Sequence, residues 1–233
     1  MLVQLKEIIK QIIYYPKLKF DDTNYDEYWR NKRKDNLGFS NGWQKQRADW
    51  ILEKVNENET ILDLGCGDGG VLLYMKQKKD INIIGADISD VVIKFLNSKN
   101  VQVIKFDIKN FDAIEELPEV DHIMILEVLE HISNPEKFLK KILTKANKSI
   151  FFSFPNTGYI SYRLRLLFGA FPVQWNTHPG EHIRFWTYRD LKWWLSELKL
   201  KQHSKIHIYE GLPFLNKIWP GLFGAGFIVE IKK

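Results

Sequence analysis

The chain has 233 residues, of which 45% are hydrophobic and 27% charged, a balance that suits one large α/β domain or one domain with a small cap. No stretch approaches the roughly 20 uninterrupted apolar residues of a transmembrane helix, and the single cysteine, Cys66, excludes an intrachain disulfide framework and fits a reducing cytoplasm. The formal charge of +5 is spread among acids and not gathered in a stripe, so a solvated surface is expected first, an anionic small substrate second, and nucleic acid is not an expected partner.

The chain opens with LVQLKEIIKQIIYY, which Lys6, Glu7 and Lys10 interrupt, so it lacks the continuous apolar core of a signal peptide. Leu2, Leu5, Ile8 or Ile9, and Ile12 recur at helical spacing. Such a stripe with lysines opposite suits a membrane surface, but packing on its own domain or on a partner chain is the commoner use. Tyr25, Tyr28 and Trp29 follow and suit a hydrophobic closure over a ligand. Residues 1–45 are therefore expected to form a helical, aromatic cap on a domain spanning 46–233.

Strand patterns fall near 60–64, 81–87, 101–106, 122–126, 149–154, 202–209 and 226–231, with helical patterns near 69–78, 89–98, 135–146 and 188–198. This alternation predicts an α/β fold, a seven-stranded and mostly parallel sheet with helices on both faces and the last strand returning antiparallel. An insert at 155–185, aromatic and arginine-bearing, is too long for an ordinary connection and is expected to cover a substrate. There is no internal repeat.

The first strand runs into ILDLGCGDGG, residues 61–70. Glycines permit a tight turn and close approach of a ligand at a helix N-terminus. Gly65, Gly67 and Gly70 also satisfy the dinucleotide pattern, so the glycines alone do not name the ligand. Asp63 decides more, because a carboxylate there would repel a pyrophosphate and favour a ligand carrying an ammonium and a sulfonium. Asp87 ends the next apolar run, where an acid usually holds ribose hydroxyls.

D-x-G-x-G-x-G followed by a second strand-end acid resembles the class I S-adenosylmethionine (SAM) methyltransferases, with their Rossmann-like fold. The resemblance implies SAM as cofactor, bound by Asp63, by the turn Gly65, Cys66, Gly67 and Gly69 through its backbone amides, by Asp87 with Ile88, and by Asp107 with Ile108, where related enzymes place an acid for the adenine amine. The adenine role is preferred for Asp107 over the alternative of a helix cap or turn residue, and Cys66 is read as a small structural side chain.

The fourth strand leads into LEVLEHI, which puts Glu127, Glu130 and His131 at the mouth of the site; Glu127 belongs to the cofactor set as well. A methyltransferase must align its nucleophile and, for a hydroxyl, remove a proton. His131 is the preferred base, since its unperturbed pKa lies near working pH. E-x-x-E-H also resembles the metal site of the small-RNA 2′-O-methyltransferases, where two glutamates and two histidines bind a divalent ion. Glu127, Glu130, His131 and His182 would then hold Mg²⁺ or Mn²⁺, with His178 competing for the distal role, although no metal is expected for most chains with this stretch. Arg184 is the better candidate to clamp an anionic substrate group; Arg163 and Arg165 lie two apart and cannot both face a pocket.

SFPNTGYISYRLRLLFG with the later HIRFWT turn resembles the MetW-like methyltransferases, and the E-V-L-E-H stretch resembles many small-molecule methyltransferases. MetW-type proteins are associated with a homoserine acyltransferase partner, but they usually lack both glutamates, which favours a catalytic enzyme here. The expectation is thus a cytoplasmic SAM-dependent methyltransferase acting on an oxygen of a polar small molecule, such as a sugar, nucleotide sugar or phosphorylated metabolite of a surface-glycan pathway. The alternatives are a metal-assisted RNA 2′-O-methyltransferase, a non-catalytic SAM-binding partner of an acyltransferase, and a membrane-surface enzyme.

Overall fold

The computed structural model describes residues 2–15, 23–33, 36–174 and 181–233. Its strands are β1 (Thr60–Leu64), β2 (Asn82–Asp87), β3 (Gln102–Lys105), β4 (Val120–Leu126), β5 (Ala146–Pro155), β6 (Ser204–Gly211) and β7 (Gly224–Lys232). They form one sheet in the order β3-β2-β1-β4-β5-β7-β6. β1 to β5 pair in parallel, and β7 runs antiparallel between β5 and β6. The seven-stranded, mostly parallel sheet expected from the sequence is therefore present. Helices are α1 (Leu2–Ile13), α2 (Tyr25–Arg33), α3 (Gly42–Leu52), α4 (Gly70–Lys78), α5 (Asp90–Ser98), α6 (Pro135–Ile142), α7 (Ile160–Leu167), α8 (Tyr188–Glu197), α9 (Leu215–Ile218) and α10 (Pro220–Phe223).

Alternation along each strand sorts side chains onto two faces. Leu62 and Leu64 of β1 join Phe138 and Leu139 of α6 and Leu191 of α8 in one core. Ile61 faces the other way, with Ala48 and Ile51 of α3, Met75 of α4 and Leu96 of α5. Asp63 shares the parity of Ile61, so it is aimed toward α3. By the same rule Ser153 falls on the face of Phe151, which is also the α3 face.

Helix starts follow local capping chemistry. Asn41 and Gln44 make a reciprocal capping box on α3, as do Thr187 and Asp190 on α8. Asn134 caps α6, with Pro135 in its first turn. α6 ends at Ile142 and not at 146, because residues 143–145 tighten into a 3₁₀ turn and Ala146 already pairs with Val120. β6 starts later than expected for a similar reason, a 3₁₀ turn over Lys201–His203. At the rim opposite the strand ends, Glu59 accepts from His122 Nε2 at 2.8 Å and from Asn56 Nδ2 at 2.8 Å, and pairs with Lys148 at 2.5 Å. Burial raises the Glu59 carboxyl, but these hydrogen bonds outweigh it and hold the group well below the usual carboxylate range.

The N-terminal helix docks on the insert. Ile8 is buried and Ile12 half-buried, while the side chains of Leu2 and Leu5 lie outside the described residues. Arg165, fully buried on α7, donates to the carbonyls of Gln11, Ile12 and Tyr14 at 3.0, 2.8 and 2.9 Å, and to that of Phe171 at 2.9 Å. A guanidinium thus supplies donors to the end of α1, where carbonyls lack helical partners and a cation is favoured. Ser161 adds a hydrogen bond to Gln11 Oε1 at 2.7 Å. Arg163 instead donates to the carbonyls of Gly158 and Gly221.

Replacing Arg165 by Met should leave those carbonyls without donors and cost about 2–4 kcal/mol, seen as a lower urea midpoint. Trypsin should also cut more rapidly at Lys6 and Lys10. An unchanged midpoint and cleavage rate would show that α1 is held by its apolar contacts alone.

Candidate active site

β1, β2, β4 and β5 all end at one rim, with the order switching between β1 and β4, the place where such sheets bind ligands. The glycine turn leaves β1 there. Gly65, Gly67 and Gly69 have φ of 72, 56 and 69°, a left-handed backbone that glycine adopts without penalty. A Cβ at Gly65 would lie 2.8 Å from Val128, and one at Gly67 2.7 Å from the ring of Trp29. The amides of this turn are already engaged: Gly65 and Cys66 donate to the Ala86 carbonyl at 2.8 and 3.1 Å, Gly67 to Asp87 Oδ2 at 2.8 Å, and Gly69 to the Cys66 carbonyl at 3.1 Å. In this arrangement these amides fold the turn, and the glycines provide clearance. Cys66 is buried; a Cβ on Gly85 would lie 2.9 Å from its sulfur, and burial pushes its thiol up.

The acids expected at strand ends are in place. Asp87 accepts from Gly67 N and, at 3.0 Å, from Ser89 N; burial raises its carboxyl despite those bonds. Asp63 is buried, and burial pushes its carboxyl up to about 8, with the Arg47 guanidinium opposing and Asp87 adding to the rise. Ile88 is 41% exposed beside Asp87. Asp107 is exposed and accepts from the amide of Lys109 at 2.9 Å, closing a turn, and Ile108 packs against the core.

Arg47 on α3 is the partner that sequence reasoning missed. It is buried, donates to Ser153 Oγ at 3.0 Å, pairs with Glu127 at 3.0 Å, and lies 5.0 Å from the Tyr209 ring centre. Glu127 also accepts from Ser153 Oγ at 2.8 Å and from the Tyr209 hydroxyl at 2.9 Å. Its φ of 57° places a non-glycine residue in the left-handed region. Glu210, also missed, sits where β6 slips register against β7. Burial raises its carboxyl to about 7, Glu127 adds to that, and Arg47 opposes it. Burial and Glu210 together push the neighbouring Tyr159 and Tyr162 hydroxyls up to about 12.

Glu130, His131 and His182 form a second group. Each offers a donor atom within 4.8 Å of the others. The amides of Ile183 and Arg184 donate to the Glu130 carbonyl at 2.9 and 3.1 Å, which fixes the loop bearing His182 against the 3₁₀ turn bearing His131. The two rings meet edge to face at 4.7 Å. His131 Nδ1 bonds the Glu181 carbonyl, so it carries the hydrogen and leaves Nε2 as a lone pair. Burial lowers His131, and burial with His131 lowers His182 to about 3, so both are neutral imidazoles. Glu130 is 1% exposed, neither carboxylate oxygen has a hydrogen-bond partner among the described residues, and burial with Glu127 raises it well above the usual range. Two neutral imidazoles and an orphaned carboxyl fit a divalent cation. Glu127 is not part of that group because its carboxylate is turned to Arg47, and His178 lies outside the described residues. Arg184 is committed to Glu136, which also accepts from Trp194, so the clamp expected at Arg184 is occupied from within.

α2 covers the rim. Trp29 lies on Gly67, Arg33 pairs with Asp68 at 2.8 Å, and Asp26 accepts from Ser89 Oγ at 2.6 Å. The closure expected of the N-terminal aromatics thus has Trp29 on the glycine turn itself.

The chain matches the family model for a methyltransferase domain over residues 40–204. It is 31% identical over 99 residues to a (S)-tetrahydroprotoberberine N-methyltransferase of Eschscholzia californica, covering 39% of this chain and 27% of that protein. It is 28% identical over 171 residues to a ubiquinone biosynthesis O-methyltransferase of Dechloromonas aromatica (strain RCB), covering 69% of this chain and 72% of that protein. A solved SAM-dependent methyltransferase from Archaeoglobus fulgidus superposes with a TM-score of 0.63 at 20% identity, over 90% of this chain and 100% of that one. The chain spans about a quarter of the length of the first plant relative, 27%, so the alignment carries the domain and not that protein's whole activity.

Asp63 gives the site a pH signature. Its carboxyl is mainly protonated below about 8 in the free protein, and a ligand ammonium favours the ionised form. Binding of S-adenosylhomocysteine near neutral pH should therefore release a proton, and affinity should climb with pH until about 8 and then level. Calorimetry in buffers of different ionisation enthalpy reads this directly. Asp63→Asn should abolish the proton release and weaken binding by about 1–3 kcal/mol.

Proposed function

The chain belongs to the methyltransferase domain family and is a class I SAM-dependent methyltransferase, and from that premise we propose that it methylates an oxygen of a polar small molecule, with His131 as the base. A sugar, nucleotide sugar or phosphorylated metabolite of a surface-glycan pathway is the acceptor class proposed. Bound SAM supplies an activated methyl group. Asp63 and Asp87 bind and orient it, and the cationic ligand gains from carboxyls that burial leaves short of counter-charge. An attacking hydroxyl must lose a proton, and the single observation that carries the reading is the free Nε2 of His131, aimed by the Nδ1 bond to Glu181. The relatives divide between N- and O-methyl transfer by name; a fixed, neutral histidine favours oxygen, whose proton must be taken during attack.

His131→Ala should slow turnover about 10²-fold or more while S-adenosylhomocysteine affinity holds. Because burial lowers His131, the base form persists below pH 6.5, so kcat should rise with pH only on the acid side and stay flat through neutrality. The test is a panel of hydroxylated acceptors followed by mass spectrometry. Methylation of RNA or protein with none of the panel would overturn the acceptor class, and an undiminished rate in His131→Ala would remove the base.

A second reading has its own observation, the orphaned Glu130 carboxyl beside two neutral imidazoles. Glu130, His131 and His182 would hold Mg²⁺ or Mn²⁺, which acidifies a coordinated hydroxyl and removes the need for a histidine base. Titrating either ion into the S-adenosylhomocysteine complex by calorimetry separates the two. Tight binding that Glu130→Gln abolishes supports the metal, and no heat with either ion returns His131 to the role of base.

A further inference from the structure

Three segments place apolar side chains on the surface next to one another. On α1, Ile9 and Ile13 are 52 and 72% exposed and are followed by Tyr14 and Tyr15, while Ile8, from the stripe that the sequence singles out, is turned inward. Leu167 and Phe168 at the end of α7 are 74 and 73% exposed, and Phe171 is 57% exposed. Arg165 joins these two segments, since its guanidinium holds the carbonyls of Tyr14 and Phe171 and lies 4.6 Å from the Tyr15 ring centre. The third segment is the β6–β7 connection, with Phe214 81%, Ile218 79% and Trp219 56% exposed; Arg163 ties it to α7 through the Gly221 carbonyl at 3.1 Å. β6 runs parallel to β5, so this connection leaves the sheet at the rim that carries the active site.

Phe214 is held out by strain. Its φ of 67° and ψ of −49°, with Leu215 N bonded to the Pro213 carbonyl at 2.8 Å, make a three-residue turn of the rare kind, centred on an aromatic residue. Phe214 is 81% exposed, so its ring gains little packing to offset that strain.

Basic residues outnumber acids at the face. Residues 2–15, 156–174 and 212–223 carry Lys6, Lys10, Arg163 and Lys217, with Arg165 buried beneath them, against Glu7 alone. On α1, Lys6 and Lys10 alternate with Ile9 and Ile13 on the outward side, spacing that presents lysines and isoleucines together. Aromatic rings at the boundary, aliphatic tips and an excess of basic side chains are what an anionic bilayer surface takes.

We propose that this face, α1 with the end of α7 and the β6–β7 connection, docks the enzyme on an anionic lipid bilayer, peripherally. Among the described residues no helix is long and apolar enough to cross a membrane, which leaves adsorption as the mode. Phe171 meets Phe185 edge to face at 5.8 Å, three residues from His182, so the docked face adjoins the active-site loop.

The test is flotation of the full chain with phosphatidylcholine vesicles, with and without phosphatidylglycerol, at low and high salt. Binding should require phosphatidylglycerol and fall as salt rises. The paired variants Leu167→Ser with Phe168→Ser, and Phe214→Ser with Trp219→Ser, change exposed residues only, and each pair should lower partitioning by about tenfold or more. Their melting temperatures and S-adenosylhomocysteine affinity should match the parent, which shows that the fold is kept. Equal flotation with neutral vesicles, no flotation at low salt, or flotation unaffected by both pairs would overturn the proposal. So would a dimer of the parent that either pair dissociates, since a second copy of the chain would then cover the face.

Discussion

One buried guanidinium organises the rim. Arg47 lies among Asp63, Glu127, Glu130 and Glu210 and attracts all four. It can neutralise one acid fully, and the geometry gives it to Glu127, in contact at 3.0 Å and further bonded by Ser153 and Tyr209. Burial then pushes up the other three, because each would hold a charge in a medium too poor in water to support it. A cleft in that state is short of positive charge. A ligand with an ammonium and a sulfonium supplies it and favours the ionised forms of those carboxyls, whereas a pyrophosphate would disfavour them further. On the proposed reading, the chemistry that distinguishes a SAM site from a dinucleotide site on the same sheet is carried by carboxyls, and the glycines that both kinds share decide little.

That distinction was open to sequence reasoning at Asp63 and Asp87, since an apolar run ending in an acid names both the strand and the residue at its tip. Arg47 was not open to it. GWQKQRADWIL has no strong apolar periodicity, and one arginine among its polar residues differs from its neighbours only once α3 is laid against β1 and β5. The glycine amides show a different limit. Their residue type predicts a turn, but only the pairing of β1 with β2 brings the Ala86 carbonyl to Gly65 and Cys66 and uses up their donors. Arg165 could be read from its spacing only as not facing the same way as Arg163; that it would cap another helix depends on where α1 lands.

The two glutamates of E-V-L-E-H separate for a backbone reason. Glu127 sits at φ 57°, where a side chain other than glycine costs about 1 kcal/mol. Its bonds to Arg47, Ser153 and Tyr209 include a charge-assisted one, and such bonds contribute about 1.5–3 kcal/mol each, so the contacts outweigh the strain. No signal in the sequence marks this, since left-handed residues outside glycine are expected to be Asn or Asp. The consequence reaches three residues on. With Glu127 turned to Arg47, the chain enters a 3₁₀ turn that buries Glu130 and sets His131 against the Glu181 carbonyl.

The loop that completes the histidine pair also links the two ends of the rim. Glu130 holds Ile183 and Arg184 by their amides, and Phe185, the next residue, rests on Phe171 of the apolar face. Neutral imidazoles and a proton-accepting Nε2 therefore stand at one end of a short segment, with exposed aromatics at the other. An acceptor with a polar head and an apolar tail meets suitable chemistry at both: a hydroxyl beside His131, and lipid-like surface beyond Phe185. An acceptor without a tail would use only the first. Only three positions separate His182 from Phe185, so on the proposed reading a hydroxyl presented to His131 lies close to the docked face.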